Sequence, residues 1–262
     1  TARPFGLEAL RVLQERVADV ATVDRIYRLG GGFRMGPFEL QDLVGIDVGY
    51  EVSLSFHALG FGEPRWRPSP LSARMVAAGW HGRKSGRGWY AYDDGTPHRP
   101  DDPEPPEQTA GAVVEGDGPL ADALRERADG RNGARIRVDG LGGTVDDEPF
   151  YAIVPLNLVE VTGERSETAF AALGLHTARV NASPGGVLPR AISQLVNEAH
   201  FSLGEGVAGA QDIDDGLVLG LNHPRGPLTW GELLGHEHVL ATLAALRALH
   251  GDAYRPAPAL RT

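Results

Sequence analysis

Residues 35–45 read MGPFELQDLVG and residues 225–235 read RGPLTWGELLG. The two stretches belong to one long match at a constant offset of 190. Glu8-Ala9 matches Glu198-Ala199, Asp24 matches Asp214, Gly36-Pro37 matches Gly226-Pro227, and Leu43-Val44-Gly45 matches Leu233-Leu234-Gly235. The tail recurs at offset 188, where Trp66-Arg67-Pro68 matches Tyr254-Arg255-Pro256. An ungapped internal repeat of this length constrains the fold more than any single motif, because both copies must build the same supersecondary unit.

Each copy reads as four helices. Leu7, Leu10, Leu13 and Val17 give the first copy an apolar helical face almost from its first residue, and Ile192, Leu195, Val196 and Ala199 give the second copy its own. A short helix is expected from a cap at Asp212 to Leu219, closed by Gly220. The next opens at Pro227 and closes at Gly235, and the last runs from His236 to Leu249, closed by Gly251. The matching stops in the first copy are Gly30, Gly45 and Gly60. The repeated Pro and Gly thus read as punctuation.

The material between the copies differs. TPHRPDDPEPPEQ (96–108) is acidic and proline-rich and reads as a linker. After it the period changes to that of a βαβ-type unit: strands at 110–115 and 134–139, helices at 120–128 and 168–174, one or two buried strands within 150–163, and a strand at 176–181. The turn GDGPLA (116–121) has the G-x-G-x-x-A spacing of a dinucleotide loop, with Asp139 at the end of the next strand. Asp117 and Glu115 would repel phosphates there, and Pro119 removes an amide. The default reading is therefore a Rossmann-like unit that holds no cofactor.

The 262 residues carry a net charge of −10 and no cysteine. The charge argues against nucleic acid or an anionic membrane as partner, and the missing thiols exclude disulfides and cysteine metal sites. No apolar run approaches a membrane span, and no signal peptide opens the chain, which fits a cytoplasmic protein.

GGFRMGPFELQDLVGIDV (31–48), PRWRPSPL (64–71) and GRKSGRGWYAY (82–92) together resemble the C-terminal helical domain of 3-hydroxyacyl-CoA dehydrogenases. GGVLPRAISQLVNEA (185–199) and LGLNHPRGPL (219–228) resemble a second copy of it. The branch with two such domains includes 3-hydroxybutyryl-CoA and 3-hydroxyadipyl-CoA dehydrogenases. The resemblance implies a mainly α fold, with two homologous helical domains of the 6-phosphogluconate-dehydrogenase C-terminal type (1–95 and 183–262). These flank a small degenerate Rossmann-like α/β unit (109–182) that follows the linker. It also implies that NAD and the catalytic His-Glu pair belong to an N-terminal domain that nothing in 1–262 matches. No catalytic, cofactor-binding or metal residue is therefore assigned. The Asn-Arg pair that opens the family's helical domain corresponds to Pro189-Arg190 in the second copy and to positions just ahead of Thr1 in the first.

Phe33, Met35 and Pro37 are the candidate substrate-binding residues, since the resemblance sets this neighbourhood near the cleft against the NAD domain. Their surroundings in the second copy, His223, Arg225 and Leu228, make a weaker apolar wall. His223 reads as a turn residue, and His236-Glu237-His238 as a solvated helix start whose two histidines point apart. Arg83, Lys84 and Arg87 suit either CoA phosphates or a structural role, the latter favoured, and Trp89, Tyr90 and Tyr92 read as a hook closing the first domain.

Two functions follow. In the first, the chain is the substrate-side and assembly portion of an NAD-dependent 3-hydroxyacyl-CoA dehydrogenase, meeting acyl-CoA through the missing N-terminal domain and inactive alone. Its two helical domains would then form an internal pseudo-dimer, with an external homo-oligomer left open. In the second, the chain is a non-catalytic scaffold or acyl-CoA-binding module of the same descent.

Overall fold

The computed structural model describes residues 2–92, 98–99, 102–128 and 133–261. Part of the linker read at 96–108 therefore lies outside the described residues.

The first copy contains α1 (Arg3–Gln14), α2 (Val20–Arg25), α3 (Pro37–Val44), α4 (Ile46–Leu59) and α5 (Pro70–Ala77). Asp19 caps α2 through the amide of Thr22 at 2.7 Å, and a π-helical turn, Ile26–Gly30, continues it. Gly45 ends α3 at φ 108°, a conformation open chiefly to glycine, and lets α4 start at once. The helix α5 is an addition to the four read from sequence.

The middle unit is a six-stranded sheet in sequential order: β1 (Gly111–Glu115), β2 (Gly133–Asp139), β3 (Gly142–Val145), β4 (Glu148–Tyr151), β5 (Leu158–Val161) and β6 (His176–Arg179). Two right-sized crossovers, α6 (Pro119–Ala128) and α7 (Glu164–Ala172), make β1–β2 and β5–β6 parallel, and the pairs between are antiparallel. This corrects the Rossmann-like reading. A doubly wound sheet reverses strand order at a switch point where ligands bind, and this sheet has no reversal. Apolar stretch 150–163 supplies parts of two strands, and β3 (GGTV) was not anticipated.

All four residues of β5 are buried because the strand is covered on both faces. Val159 and Val161 join the core under α6 and α7 with Leu124, Ile136, Phe150 and Phe170. Leu158 points the other way, into a second core shared with both helical copies.

The second copy contains α8 (Leu188–Gly204), α9 (Ala210–Leu221), α10 (Pro227–Leu234) and α11 (His236–His250). The helix expected from Asp212 begins earlier, with Gly209 as N-cap, and ends beyond Gly220 at Asn222, whose φ of 54° closes it. Gly235 and Gly251 close α10 and α11 at the positions read from sequence. Helix α1 packs on its own counterpart α8, and Phe5, Ala9, Ile192, Leu195, Trp230 and Leu243 share one continuous core.

Candidate functional site: a cleft in the first helical copy

The repeated residues do the same work twice. Asp24 accepts hydrogen bonds from the amides of Phe38 and Glu39, both at 2.9 Å, and so caps α3 from a distant helix. Asp214 accepts from the amides of Leu228 and Thr229 at 2.8 and 2.9 Å and caps α10 in the same way. A Cβ on Gly36 or Gly226 would fall on the carboxyl of Asp24 or Asp214, so glycine is required there for space. Burial outweighs these donors and the Tyr90 hydroxyl and lifts the Asp24 carboxyl to about 7.

The seam between copies exchanges partners as a two-fold axis would. Tyr254 Oη donates to Glu8 at 2.7 Å, and Trp66 Nε1 donates to Glu198 at 3.3 Å; Glu8 and Glu198 are repeat equivalents, as are Trp66 and Tyr254. Phe33 meets its own equivalent, His223, with ring centroids 5.2 Å apart. His223 lies in the loop after α9, as read from sequence, and is buried there: it is 8% exposed beside Phe5 and Phe33, and burial lowers its imidazole to about 4. Arg190, fully buried, bonds Glu8 at 2.8 Å and Glu15 at 2.6 and 2.9 Å, and also the Tyr254 hydroxyl. Burial works against charge on Glu8, but Arg11, Arg190 and Tyr254 outweigh it and hold this carboxyl below its ordinary range.

Against this symmetry stands one difference. In the second copy α11 packs down on α8 and buries Val239, Leu243 and Leu246. Its equivalent α4 buries Ile46 alone, although its sequence IDVGYEVSLSFHAL is apolar nearly all round. A cleft of about 190 Å³ lies between α1, α3 and α4, lined by Gly6, Leu10, Pro37, Gln41, Gly49 and Ser53 among others. The repeat explains it. Gly6, Gly49 and Ser53 correspond to Val196, Val239 and Leu243, all three fully buried, and Leu40 corresponds to the buried Trp230. The second copy fills with side chains the space that the first leaves open.

Of the candidate substrate residues, Pro37 lines this cleft. Met35 is half-buried in the preceding turn, and Phe33 is buried at the seam against Phe5, Tyr27 and His223. The cleft residues on α1 and α4 were not singled out in the sequence, although comparing the repeat position by position marks them.

The remaining sequence candidates are accounted for structurally. Lys84 pairs with Asp47 at 2.6 Å, Arg83 lies over Tyr92 and Arg87 over Trp80. Trp89 and Tyr90 donate their amides to Asp42, both at 3.0 Å, and the Tyr92 hydroxyl joins them, so 82–92 is a hook clamped on α3. His236, Glu237 and His238 form the first turn of α11, as read from sequence, with the first two exposed and His238 half-buried. Its Nε2 lies 3.0 Å from the position a Cβ on Gly118 would take, and its Nδ1 lies 3.6 Å from that on Gly140. The imidazole therefore lies against the GDGPLA loop. Asp117 and Pro119 belong to this same loop. Among the described residues no cluster of three or more His, Asp or Glu could hold a metal, and no helix is long and apolar enough to cross a membrane.

Glu160 went unnoticed in sequence. Strand alternation points it toward α8, where it accepts from the amides of Val187 and Leu188 at 2.6 and 2.8 Å. Burial prevails over both donors and lifts its carboxyl to about 8.

Comparison with known proteins places these features. The family model described as 3-hydroxyacyl-CoA dehydrogenase, C-terminal domain, matches residues 1–92 and 185–262. The chain is 32% identical over 279 aligned positions to 3-hydroxyadipyl-CoA dehydrogenase of Escherichia coli, covering 99% of this chain and 57% of that protein. Over 89 residues, 34% of the chain and 32% of the relative, it is 42% identical to a probable 3-hydroxybutyryl-CoA dehydrogenase of Deinococcus radiodurans. A crystal structure of 3-hydroxybutyryl-CoA dehydrogenase from Escherichia coli superposes with a TM-score of 0.74 at 29% identity, over 99% of this chain and 57% of that one. The chain thus spans a little over half the length of the two Escherichia coli relatives it matches throughout, and about a third of the Deinococcus protein. With two copies of the domain matched, it belongs to the 3-hydroxyacyl-CoA dehydrogenase family.

Proposed function

We propose that this chain is the substrate-side and assembly portion of a cytoplasmic NAD-dependent 3-hydroxyacyl-CoA dehydrogenase, which oxidises a 3-hydroxyacyl-CoA to the 3-oxoacyl-CoA. The carrying observation is the asymmetry of the copies: one cleft open, its equivalent filled. The open cleft is the apolar wall that receives the acyl chain, orients it and keeps water away. The filled copy acts as an internal mate, taking the place of the partner subunit across a two-fold contact. NAD and the catalytic His-Glu pair are supplied by the NAD domain of the intact family enzyme, and the external oligomeric state follows from surfaces outside the seam.

Calorimetric titration with acetoacetyl-CoA, alongside an NADH oxidation assay, tests this. The chain alone is expected to bind the thioester without oxidising NADH, and Gly49→Val/Ser53→Leu, which fills the cleft as the second copy does, is expected to abolish binding. Turnover by the chain alone, or full binding by the filled variant, refutes the reading.

A further inference from the structure

The seam contains a second pair of equivalent places, and one of the two is hollow. On the α8 side the Phe201 ring meets two guanidinium groups, Arg65 at 3.6 Å and Arg255 at 4.7 Å from its centroid. Glu63 joins them: its Oε2 accepts from Arg255 at 2.9 Å and its Oε1 lies 3.2 Å from Arg65 Nε. The repeat carries this set onto α1. Phe201 corresponds to Arg11 at offset 190, and the tail offset of 188 sets Glu63 against Gly251, Arg65 against Ala253 and Arg255 against Arg67. A carboxylate and a guanidinium side chain are thus replaced by a hydrogen and a methyl group. A cavity of about 510 Å³ lies there, with Leu7, Pro64, Pro68, Pro70 and Tyr254 among its walls.

The charges around this cavity are matched with one exception. Arg190 holds Glu15, with His250 Nε2 a further 3.7 Å from it, Arg247 holds Asp252 at 2.8 Å, and Arg11 is engaged by Glu8 and by the Arg65 carbonyl. Arg67 is exposed at the cavity and, among the described residues, meets no carboxylate, whereas its equivalent Arg255 has Glu63.

We propose that this cavity binds a small organic carboxylate as a free anion, with Arg67 pairing its oxygens as Arg255 pairs Glu63, and with the prolines and Tyr254 receiving its apolar body. The volume lies within the roughly 300–1,000 Å³ of pockets that enclose small organic ligands, so the site takes more than an inorganic ion. Helix α1 separates it from the cleft of the first copy, and Leu7 alone lines both, so the site stands independently of the acyl-facing reading. Its walls come from both helical copies, and an anion bound there ties them together.

The test is calorimetric titration of the 262-residue chain with cyclohexanecarboxylate and cyclohexanecarboxamide, which share a body and differ in charge. The carboxylate is expected to bind in the millimolar range, about tenfold tighter than the amide, as a charge-assisted pair gives, and to raise the melting temperature. Arg67→Gln is expected to erase that ratio while leaving the melting temperature of the free chain unchanged, and Arg67→Lys to keep part of it. Ala253→Met, which returns a side chain of Arg65's length to the cavity without its charge, is expected to abolish binding of both. Equal affinity for acid and amide overturns the proposal, and so does undiminished binding of the acid by Arg67→Gln. Inorganic phosphate binding as tightly as the carboxylate reduces the site to an adventitious ion only and overturns it as well. No heat of binding from the carboxylate well above millimolar concentration, in a chain with an intact melting transition, does the same. Each of these failures leaves the acyl-facing cleft standing.

Discussion

Replacing Arg190 by alanine probes the seam most directly. The guanidinium is fully buried, and its partner Glu8 is 1% exposed. Breaking a buried pair by deleting one partner costs about 3–5 kcal/mol, because the other charge stays desolvated. Here Arg11 and Tyr254 still hold Glu8, so about 3 kcal/mol, the lower end, is expected. Followed by tryptophan fluorescence in urea, with a slope near 3 kcal/mol/M, the midpoint should fall by about 1 M. Arg247→Ala serves as control. Its pair with Asp252 is exposed on both sides (47% and 60%), and such pairs contribute about 0–1 kcal/mol. A double-mutant cycle of Arg190→Ala with Glu8→Gln should give a coupling of about 1 kcal/mol or more. If Arg190→Ala moves the midpoint no further than Arg247→Ala, the seam is not held by this network and the reasoning fails.

Three further outcomes follow from the geometry. Glu160, raised to about 8 by burial, contributes stability that is complete below its unfolded value near 4.3 and is lost as pH rises through 8. Glu160→Gln should therefore flatten the melting temperature between pH 5 and 8, and an unchanged pH profile would count against the assignment. Gly226→Ala should push Asp214 off the α10 amides and cost about 1–2 kcal/mol in chemical denaturation, whereas alanine at the exposed, uncrowded Gly216 in α9 should cost nothing. Leu243→Ser copies the first copy's residue into the filled one and should cost about 2–5 kcal/mol, as other buried large-to-small changes do; a loss under 1 kcal/mol would mean that α11 does not seal against α8 as described.

The helices were legible where local signals suffice. Gly45, Gly235 and Gly251 stop helices because the chain itself needs a positive φ there, and no tertiary partner has to be known. What escaped depends on partners distant in sequence. Asp24 and Asp214 were aligned but not understood, since their amide donors lie 14 and 15 residues on and only the folded bundle brings them together. His238 looked like one more polar residue of a helix start until the glycine loop of another unit was found against it. Strand β3 is GGTV, too short and glycine-rich to show alternation. Of the candidate site, the sequence pointed to the Gly-Pro turn and so to Pro37, while the residues that hollow the cleft are glycines and a serine on helices, invisible until set beside the valines and leucine of their twins.

That contrast between Gly49 and Val239 has a consequence for how such a molecule can change. When two identical polypeptides associate, each alteration in the gene appears on both sides of the contact, so a hollow that serves binding must be tolerated in duplicate. A single polypeptide that carries both sides is released from that constraint. One half can keep its hollow for a guest while the other hardens into ballast, and the contact between them secures the looser half.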